Sequence, residues 1–350
     1  MGSNVELTKS RGRAPVFVVG CPRSGTTLLY NMLLSAGGFA VYLAESNVFN
    51  LLVPRFGDLS VLANRERLMD AWLQSQLFRA SFLDAERIRA RVLSDCRNGG
   101  DFLRIVMGEM SREQGVERWA DNSPEELLYA PTIKKYLPDA LFIHMIRDGR
   151  DVALSLDARP HAWVRPFSWD RQDSLAIAGI CWEWMVSRGR QLGRRLGGDY
   201  MEVHFEQLQA DPPGVLAKIG DFIQHDLDYD RILQVGIGSV REPNTSFKGD
   251  AGSPVGRWKQ KISAEKLALF EAVVGRTLNE LGYPQATVGA SANRLKALRL
   301  RTFYRAYFDA KFWFKSSGLS RSCFGPMSGP QIDGTTMAVD PAKQPAGSRS

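Results

Sequence analysis

Residues Gly20 to Thr27 form the stretch whose residue types and spacing point most directly to chemistry. They read Gly-Cys-Pro-Arg-Ser-Gly-Thr-Thr and follow the apolar run Val16–Val19. A buried strand, a tight glycine-bearing loop and a helix start bring backbone N–H groups and the positive end of a helix dipole to one anion. The spacing fits the nucleotide P-loop except that Thr26 stands where that loop carries lysine. The pattern predicts a phosphate-binding loop whose positive charge is Arg23 and which is poorly equipped to transfer the γ-phosphoryl group of ATP.

A second pattern of the same kind ends at Arg147. The apolar run Leu141–Ile146 predicts a buried strand, and a helix is expected to begin soon after it. Arg147 at the strand tip and Ser155 in that helix could hold another phosphate through a planar guanidinium and a hydroxyl. The alternative is a surface arginine and a helix serine without a ligand. Two anion sites at neighbouring strand ends would suit a nucleotide with phosphates on both its 5′ and 3′ sides.

The elements that position these motifs alternate between strands and helices. Further strands are predicted at Phe39–Leu43, which would deliver Glu45 at its end, and at Tyr200–Phe205. Helices are predicted over 26–36, 60–94, 174–196, 213–223 and 264–281. This order predicts an α/β, P-loop-like fold of three layers, in which a mostly parallel sheet is flanked by helices. We expect a disordered lead at 1–13, the main domain at 14–286, a basic amphipathic helical extension at 287–325 and a disordered tail at 326–350.

Composition excludes some classes of protein but does not identify a substrate. The chain has 350 residues, a net charge of +7 and 44% hydrophobic residues, which allows a large core. A basic balance suits an anionic substrate, a nucleic acid or an acidic membrane, but no nucleic-acid recognition module is visible. The four cysteines and four histidines are scattered, so neither a disulfide framework nor a metal site is predicted. The first 13 residues do not resemble a secretory signal and no apolar run is long enough to span a bilayer, so we expect a cytoplasmic protein.

Taken together, the motifs resemble the sulfotransferases that use 3′-phosphoadenosine 5′-phosphosulfate (PAPS). Pro22 to Thr27 is similar to their 5′-phosphosulfate loop, and Arg147 to Ser155 has the spacing of their 3′-phosphate motif. Met201–Leu208, Val255–Lys259 and Leu281–Pro284 resemble later landmarks of the family, in the same order. The closest branch is the tyrosylprotein and bacterial carbohydrate type. The resemblance implies PAPS as co-substrate, no required metal, and a set of donor-binding residues: Arg23, Ser24, Gly25, Thr26, Thr27, Arg147 and Ser155.

In the resembled branch a glutamate after the first loop–helix unit is the general base, and Glu45 holds that position here. A carboxylate within hydrogen-bond reach can take the proton of an attacking hydroxyl. The alternative for Glu45 is an acid that compensates a helix dipole. Other branches use histidine, which makes His144 and His161 the rivals. His144 is expected to pack inside a strand, whereas His161 lies on the long loop 158–172.

Three departures from the family bear on activity. Asn122 stands where relatives often carry a lysine that stabilises the sulfuryl group, so Arg23 must supply more of the charge. Phe205 replaces a tyrosine that commonly contacts the nucleotide. Arg257 and Lys259 are predicted to contribute positive charge to the nucleotide site, with solvated surface charge as the alternative. These departures keep open a nucleotide-binding protein that has lost activity, and a P-loop kinase or NTPase remains the other alternative.

The acceptor is expected to be a hydroxyl, less readily an amine, on a carbohydrate or glycan. Lipid, peptide tyrosine and small phenol are not excluded by the sequence. Residues 294–315 carry seven basic residues and aromatic side chains at helical spacing. This pattern predicts an amphipathic helix that either packs on the domain or rests on an anionic membrane, and membrane contact would favour a lipid-linked acceptor.

Overall fold

The computed structural model describes residues 11–158, 168–238, 240, 253–287 and 293–335. Within them the strands are β1 (Val16–Gly20), β2 (Ala120–Asp121), β3 (Leu141–Ile146) and β4 (Tyr200–His204). The α-helices of the first half are α1 (Thr26–Ser35), α2 (Val53–Phe56), α3 (Leu62–Trp72), α4 (Gln76–Ser81), α5 (Ala85–Asp95), α6 (Gly99–Glu113), α7 (Ala130–Tyr136) and α8 (Gly149–Asp157). Those of the second half are α9 (Ser174–Leu196), α10 (Phe205–Ala210), α11 (Pro212–Ile223), α12 (Tyr229–Val235), α13 (Trp258–Lys261), α14 (Ala264–Glu280), α15 (Arg294–Ser316), α16 (Leu319–Phe324) and α17 (Gly329–Asp333). A π-helix spans Val48–Leu52, and 3-10 helices span Pro124–Tyr129, Ser168–Asp173 and Gly197–Asp199.

The described strands form one parallel sheet in the order β2-β1-β3-β4. Val16 pairs with Ala120 on one side and with Leu141 on the other. The pairing of Ile146 with His204 continues the sheet to β4. Because the strands are parallel, the carboxyl ends of β1 and β3 lie side by side. The predicted α/β fold with a parallel central sheet is confirmed.

The central strands β1 and β3 are buried along their length because helices cover both faces of the sheet. Side chains alternate across a strand, so Val16 and Val18 pack with α1 and α11. Phe17 and Val19 point the other way, into a cluster with residues of α6 and α7. Continuous apolar runs of this kind are typical of parallel strands buried on both faces. The packing fixes the two strand ends from which the site is built.

The C-terminal helix α15 packs on the domain against α9 and α14. Its Tyr304 and Phe308 are fully buried. Glu183 of α9 is buried and accepts hydrogen bonds from Arg301 Nη2 at 2.9 Å and Arg305 Nη1 at 3.1 Å. The helix is therefore docked by an apolar face and by a buried carboxylate. In the part of the chain that the structure describes, no helix combines the length and apolar content needed to cross a bilayer.

The predicted strand at Phe39–Leu43 was wrong. Phe39 makes a single isolated bridge with Arg118, and no ladder follows. The reason is a competing partner, since the Val41 backbone N–H donates to Gln114 Oε1 at 2.7 Å and its carbonyl accepts from Gln114 Nε2 at 3.1 Å. The helical stretch predicted at 60–94 is present as α3, α4 and α5, with side-chain caps at Ser75 and Asp84 restarting the helix.

Both ends predicted to be disordered include residues that the structure describes as ordered. Arg11 Nε donates to the Phe222 carbonyl at 2.6 Å, so the lead prediction was wrong from residue 11, and residues 1–10 lie outside the described part. The tail prediction was wrong over 326–335, where Ile332 of α17 is buried and the Gln76 N–H donates to Asp333 Oδ1 at 2.7 Å. Residues 336–350 lie outside the described part. A few apolar contacts order a segment whose overall composition is polar.

Candidate functional site

The loop after β1 has the backbone geometry of an anion-binding nest. Arg23 has a φ of 76° and Gly25 a φ of 93°, so both residues are left-handed. Left-handed residues in such a turn direct successive N–H groups to one side. Gly25 is needed because a Cβ at this position would overlap the Phe205 ring. Helix α1 begins at Thr26, which turns the positive end of its dipole toward the loop.

The two predicted anion motifs meet at this loop. Arg23 Nε donates to Ser155 Oγ at 2.9 Å, and Arg147 Nη1 donates to the Arg23 carbonyl at 3.1 Å. The Arg147 guanidinium lies 4.4 Å from the centre of the Phe205 ring, which limits its rotation. The structure thus brings Arg23, Arg147 and Ser155 into one basic site. Which phosphate each residue holds remains a prediction.

Asp151 ties a distant segment to this basic site. Its carboxylate accepts from the Gly256 N–H at 2.7 Å and from the Trp258 N–H at 2.9 Å. Arg147 Nη2 donates to the Pro254 carbonyl at 2.5 Å in the same segment. A buried carboxylate that receives two backbone donors holds the chain firmly. Residues 254–258 are therefore fixed beside Arg147.

Of the two cations predicted in that segment, Arg257 lies nearer the site than the sequence alone could show. Burial is the main cause of the lowered pKa of Arg147, and the positive charge of Arg257 acts in the same direction. Two neighbouring guanidinium groups form a strong site for a phosphate. Lys259 is exposed, with Nζ 5.8 Å from the centre of the Trp258 ring. Its contribution to nucleotide binding stays a prediction.

The segment that carries Glu45 is held by the residues that follow β2. The Asn47 N–H donates to Ser123 Oγ at 3.0 Å, and the Phe49 N–H donates to Glu126 Oε1 at 2.9 Å. Burial, reinforced by neighbouring Asp121, raises the pKa of Glu126 well above its usual range. A protonated carboxyl retains an acceptor oxygen for the Phe49 amide at little electrostatic cost. These bonds fix the backbone at Asn47 and Phe49, shortly after Glu45, and so position Glu45.

Glu45 itself has the properties of a group that exchanges a proton near neutral pH. Burial raises its pKa to about 8, although the Asn47 side-chain hydrogen bond opposes that shift. The charges of Glu125 and Asp121 raise the pKa further, and the positive charge of Arg23 lowers it. A general base is most effective when its pKa is close to the working pH. The electrostatics of Glu45 are therefore compatible with the predicted role, which nothing in the structure tests directly.

Three buried polar atoms at the basic site have no hydrogen-bond partner among the described residues. They are Ser24 Oγ, Arg147 Nε and Asn122 Oδ1. Buried polar atoms are nearly always satisfied in folded proteins, and each exception calls for an explanation. Two of these atoms belong to the predicted donor-binding set and can donate to a phosphate oxygen. A phosphorylated ligand fits this pattern, since it would satisfy both of these donors at once.

The rival groups occupy other environments. His144 lies within β3, its Nδ1 is 2.6 Å from Tyr200 Oη, and burial lowers its pKa to about 4. It packs in the sheet, as expected, and His161 lies outside the described residues. A P-loop kinase holds magnesium with a loop hydroxyl, here that of Thr27, and a carboxylate at a strand end, for which Asp148 is the candidate. Asp148 forms an ion pair with Arg150 at 2.8 Å, and Thr27 is exposed and accepts from Asn122 Nδ2 at 3.5 Å. The carboxylate is therefore already engaged within the protein.

Arg23 and Glu45 line a common cavity of about 590 Å³. Its walls come from the loop after β1, the π-helix, the 3-10 helix that starts at Pro124, and α9 and α15. Much of the lining is apolar, including Leu51, Leu128, Leu156, Met185 and Phe312. A cavity that joins a basic site to an acid and then to an apolar enclosure can hold an acceptor beside a bound anion.

The sequence did not reveal several residues that build the site. Ser123 and Glu126 support the Glu45 segment, and Asp151 holds residues 254–258. Lys311 and Phe312 of α15 line the cavity. Helical spacing in α15 did mark its aromatic residues, but nothing local indicated which side faces the cavity. Contacts between distant segments leave no signal in a single sequence.

Comparison with protein families gives a match over most of the described core. Residues 15–230 match the model of a family described as the sulfotransferase family. The match begins just before β1 and ends in α12, so it contains both anion motifs and Glu45. Helices α13 to α17 lie outside it. A search of curated proteins finds no significant match.

Several solved structures are similar to this chain at low sequence identity. The sulfotransferase domain from the curacin biosynthetic pathway has a TM-score of 0.50 and 16% identity, covering 77% of this chain and 98% of that one. The sulfotransferase domain from the Synechococcus PCC 7002 olefin synthase has a TM-score of 0.46 and 20% identity, covering 83% and 94%. Sulfotransferase STF9 from Mycobacterium avium has a TM-score of 0.43 and 16% identity, covering 80% and 79%.

Proposed function

Because this chain belongs to the sulfotransferase family, we propose that it transfers the sulfuryl group of PAPS to an acceptor hydroxyl. The observation that carries the donor assignment is the joined basic site of Arg23, Ser155 and Arg147. Ser24 Oγ and Arg147 Nε, buried and unsatisfied within the described chain, provide donors for phosphate oxygens. Arg23 to Thr27 would hold the 5′-phosphosulfate end, and Arg147 with Ser155 the 3′-phosphate. Arg257 would add positive charge beside Arg147.

In the proposed reaction Glu45 accepts the proton of the acceptor hydroxyl as the oxygen attacks sulfur. The new bond joins the acceptor oxygen to sulfur, and the bond between sulfur and the 5′-phosphate oxygen breaks. The products are the sulfated acceptor and adenosine 3′,5′-bisphosphate. Arg23 and the N–H groups of the loop stabilise the charge that develops on the leaving phosphate. A sulfuryl group carries less negative charge than a phosphoryl group, so this chemistry requires neither the missing loop lysine nor a metal ion.

Calorimetry with two ligands tests the donor assignment. We expect adenosine 3′,5′-bisphosphate to bind in EDTA, because the proposed site uses only protein donors. Tight binding of ATP with magnesium and none of the bisphosphate would contradict the proposal and favour the kinase alternative. Binding of the bisphosphate without transfer of radiolabelled sulfate to any acceptor in a cell extract would favour the alternative of lost activity, for which Asn122 is the supporting residue.

The variant Glu45→Gln tests the base. We expect kcat to fall by about 10²–10⁴-fold while the bisphosphate still binds, because a positioned carboxylate contributes about that factor. Turnover close to that of the parent would remove Glu45 from the mechanism.

Stability provides the control for this variant. The folded pKa of Glu45 is about 8, above the ordinary 4.5, so its ionisation opposes folding increasingly as pH rises from 4.5 to 8. Since each pKa unit corresponds to about 1.4 kcal/mol, Glu45→Gln should therefore raise the free energy of unfolding at pH 8 by about 4 kcal/mol and leave it little changed at pH 4. A loss of turnover combined with this gain in stability cannot come from misfolding.

For the acceptor, the sequence favours a hydroxyl on a carbohydrate or glycan, whereas the mostly apolar cavity lining favours a less polar hydroxy compound. Leu295, Leu298 and Trp313 of α15 are exposed on a basic helix, which supports peripheral contact of residues 294–315 with an anionic membrane. Cosedimentation with phosphatidylglycerol vesicles tests that contact, and no binding at low salt would contradict it. We propose a cytoplasmic location, where PAPS is available.

A further inference from the structure

The C-terminal helix α15 forms one wall of the cavity that contains Arg23 and Glu45. Phe308, Lys311, Phe312 and Lys315 all line this cavity. All four residues lie beyond the region 15–230 that matches the family. One wall of the cavity is therefore supplied by a part of the chain that the family match does not include.

Helix α15 is held in place firmly enough to define a binding surface. Beyond the two arginines that reach Glu183, Trp184 Nε1 donates to Asp309 Oδ1 at 2.9 Å. Lys315 Nζ lies 3.3 Å from Glu125 Oε2, which links the helix to the 3-10 helix on another wall. Phe312 packs between Tyr129 and Trp184, with ring centres 5.4 Å and 6.2 Å away. A half-buried Phe312 is thus fixed in orientation and turned toward the cavity.

The lining of the cavity is mostly apolar. Leu51, Leu128, Leu156 and Met185 face it together with the rings of α15. The Lys315–Glu125 ion pair satisfies two of the charged groups internally. A few polar side chains, among them Asn47, Asn50 and Thr335, also line the cavity, so only some hydroxyls of a sugar could be paired there, and the others would lose water without replacement. An alkyl or aryl group would instead be stabilised in proportion to the apolar surface that it buries.

We propose that α15 is the acceptor wall and that the acceptor is a hydroxy compound with an apolar body, aromatic or alkyl, rather than an unsubstituted sugar. This inference rests on the proposed function, since it names the partner of the sulfuryl transfer. Phe312 is the principal contact for the apolar body, and the hydroxyl lies toward Glu45. The cavity selects the acceptor by its shape and by the apolar surface that it buries. The basic site binds the donor independently.

The test uses the full-length chain and three acceptor probes: 4-propylphenol, 1-octanol and methyl β-glucoside. With radiolabelled PAPS, we expect kcat/KM for the two apolar alcohols to exceed that for the glucoside at least tenfold. Phe312→Ala should raise KM for 4-propylphenol about tenfold, the loss expected from removing a buried ring face. Phe312→Leu should stay within threefold of the parent. Phe303→Ala is the matched control, since Phe303 lies on the same helix, is 48% exposed and does not line the cavity.

Two binding measurements separate this inference from the proposed function. Calorimetry should give an unchanged Kd for adenosine 3′,5′-bisphosphate in all variants, and a weaker Kd for 4-propylphenol only in Phe312→Ala. Preference for the glucoside, or an unaltered 4-propylphenol KM and Kd in Phe312→Ala, would overturn the acceptor assignment and leave the donor assignment standing. If the parent protein does not bind the bisphosphate, the donor assignment is wrong instead. Binding of 4-propylphenol would still test the role of α15 as the acceptor wall.

Discussion

The part of the site proposed to bind the nucleotide (the nucleotide end) and the part proposed to bind the acceptor (the acceptor end) are built in different ways. The nucleotide end uses two short motifs, each at the carboxyl end of a neighbouring strand, and Arg23 and Ser155 meet there at 2.9 Å. The acceptor end draws its walls from the π-helix, a 3-10 helix, α9 and α15. The first arrangement follows from the sheet order, whereas the second depends on how separate helices pack. Changes at one end should therefore alter the Kd or KM for one substrate and leave the value for the other substrate unchanged.

The largest separation is expected for Arg147→Ala. This change removes a buried guanidinium at the strand tip, and a charged hydrogen bond contributes about 1.5–3 kcal/mol. We expect Kd for adenosine 3′,5′-bisphosphate and KM for PAPS to rise about 30-fold, while acceptor KM changes less than threefold. Titration calorimetry and steady-state assays measure the two effects.

Arg147→Lys is the control for geometry. It keeps the charge but loses the planar fork, so it should recover part of the affinity and not all of it. An equal Kd of the bisphosphate in the parent and in Arg147→Ala would show that Arg147 does not belong to the nucleotide end.

The reciprocal change is Glu183→Gln, which weakens the docking of α15. Glu183 is fully buried and accepts hydrogen bonds from Thr277, Arg301 and Arg305. Removing a buried partner is costly, and partial exposure of the arginines reduces the effect to about 2 kcal/mol of unfolding free energy. Acceptor KM should rise several-fold with donor Kd unchanged. Urea unfolding at pH 7 and the same kinetic assays provide the measurements.

Arg276→Ala is matched to this variant because it breaks the exposed ion pair with Glu280 on α14. It should change the unfolding free energy by no more than about 0.5 kcal/mol. If Glu183→Gln weakens donor binding as strongly as acceptor binding, α15 stabilises the whole site and does not belong to the acceptor end alone.

The same difference between local and distant contacts explains what the sequence could predict. The apolar runs of β1 and β3 and the loop that ends at Gly25 are local, and both strands appear at the predicted bounds. The strand predicted at Phe39–Leu43 failed because the Gln114 side chain, far along the chain, takes the hydrogen bonds of Val41. Local pattern cannot reveal such a partner.

The residues of the candidate site also fall into two groups, those that a motif predicts and those that only contacts between distant segments reveal. The family resemblance identified Arg23, Arg147 and Glu45, and all of them lie at one site or line the cavity next to it. Asp151 and Ser123 were not anticipated, because their role is to accept backbone N–H groups from distant segments. Phe312 belongs to the aromatic residues at helical spacing, but only tertiary packing shows that it lines the same cavity as Glu45.

The smallest effect is expected where the two ends meet, for a variant that keeps Glu45 and only shifts its pKa. Only ionised Glu45 can accept a proton, so kcat/KM should rise with pH and level off above its pKa of about 8. The Asn47 hydrogen bond lowers that pKa, and Asn47→Gly removes the amide while keeping a residue that tolerates the φ of 50° found there. The midpoint of the profile should therefore move to higher pH by about 0.5–1 unit. Asn279→Ala, an exposed change on α14, should leave the midpoint in place. An unmoved midpoint in Asn47→Gly, or activity that falls as pH rises from 6 to 8, would show that a group other than Glu45 controls the proton at the junction.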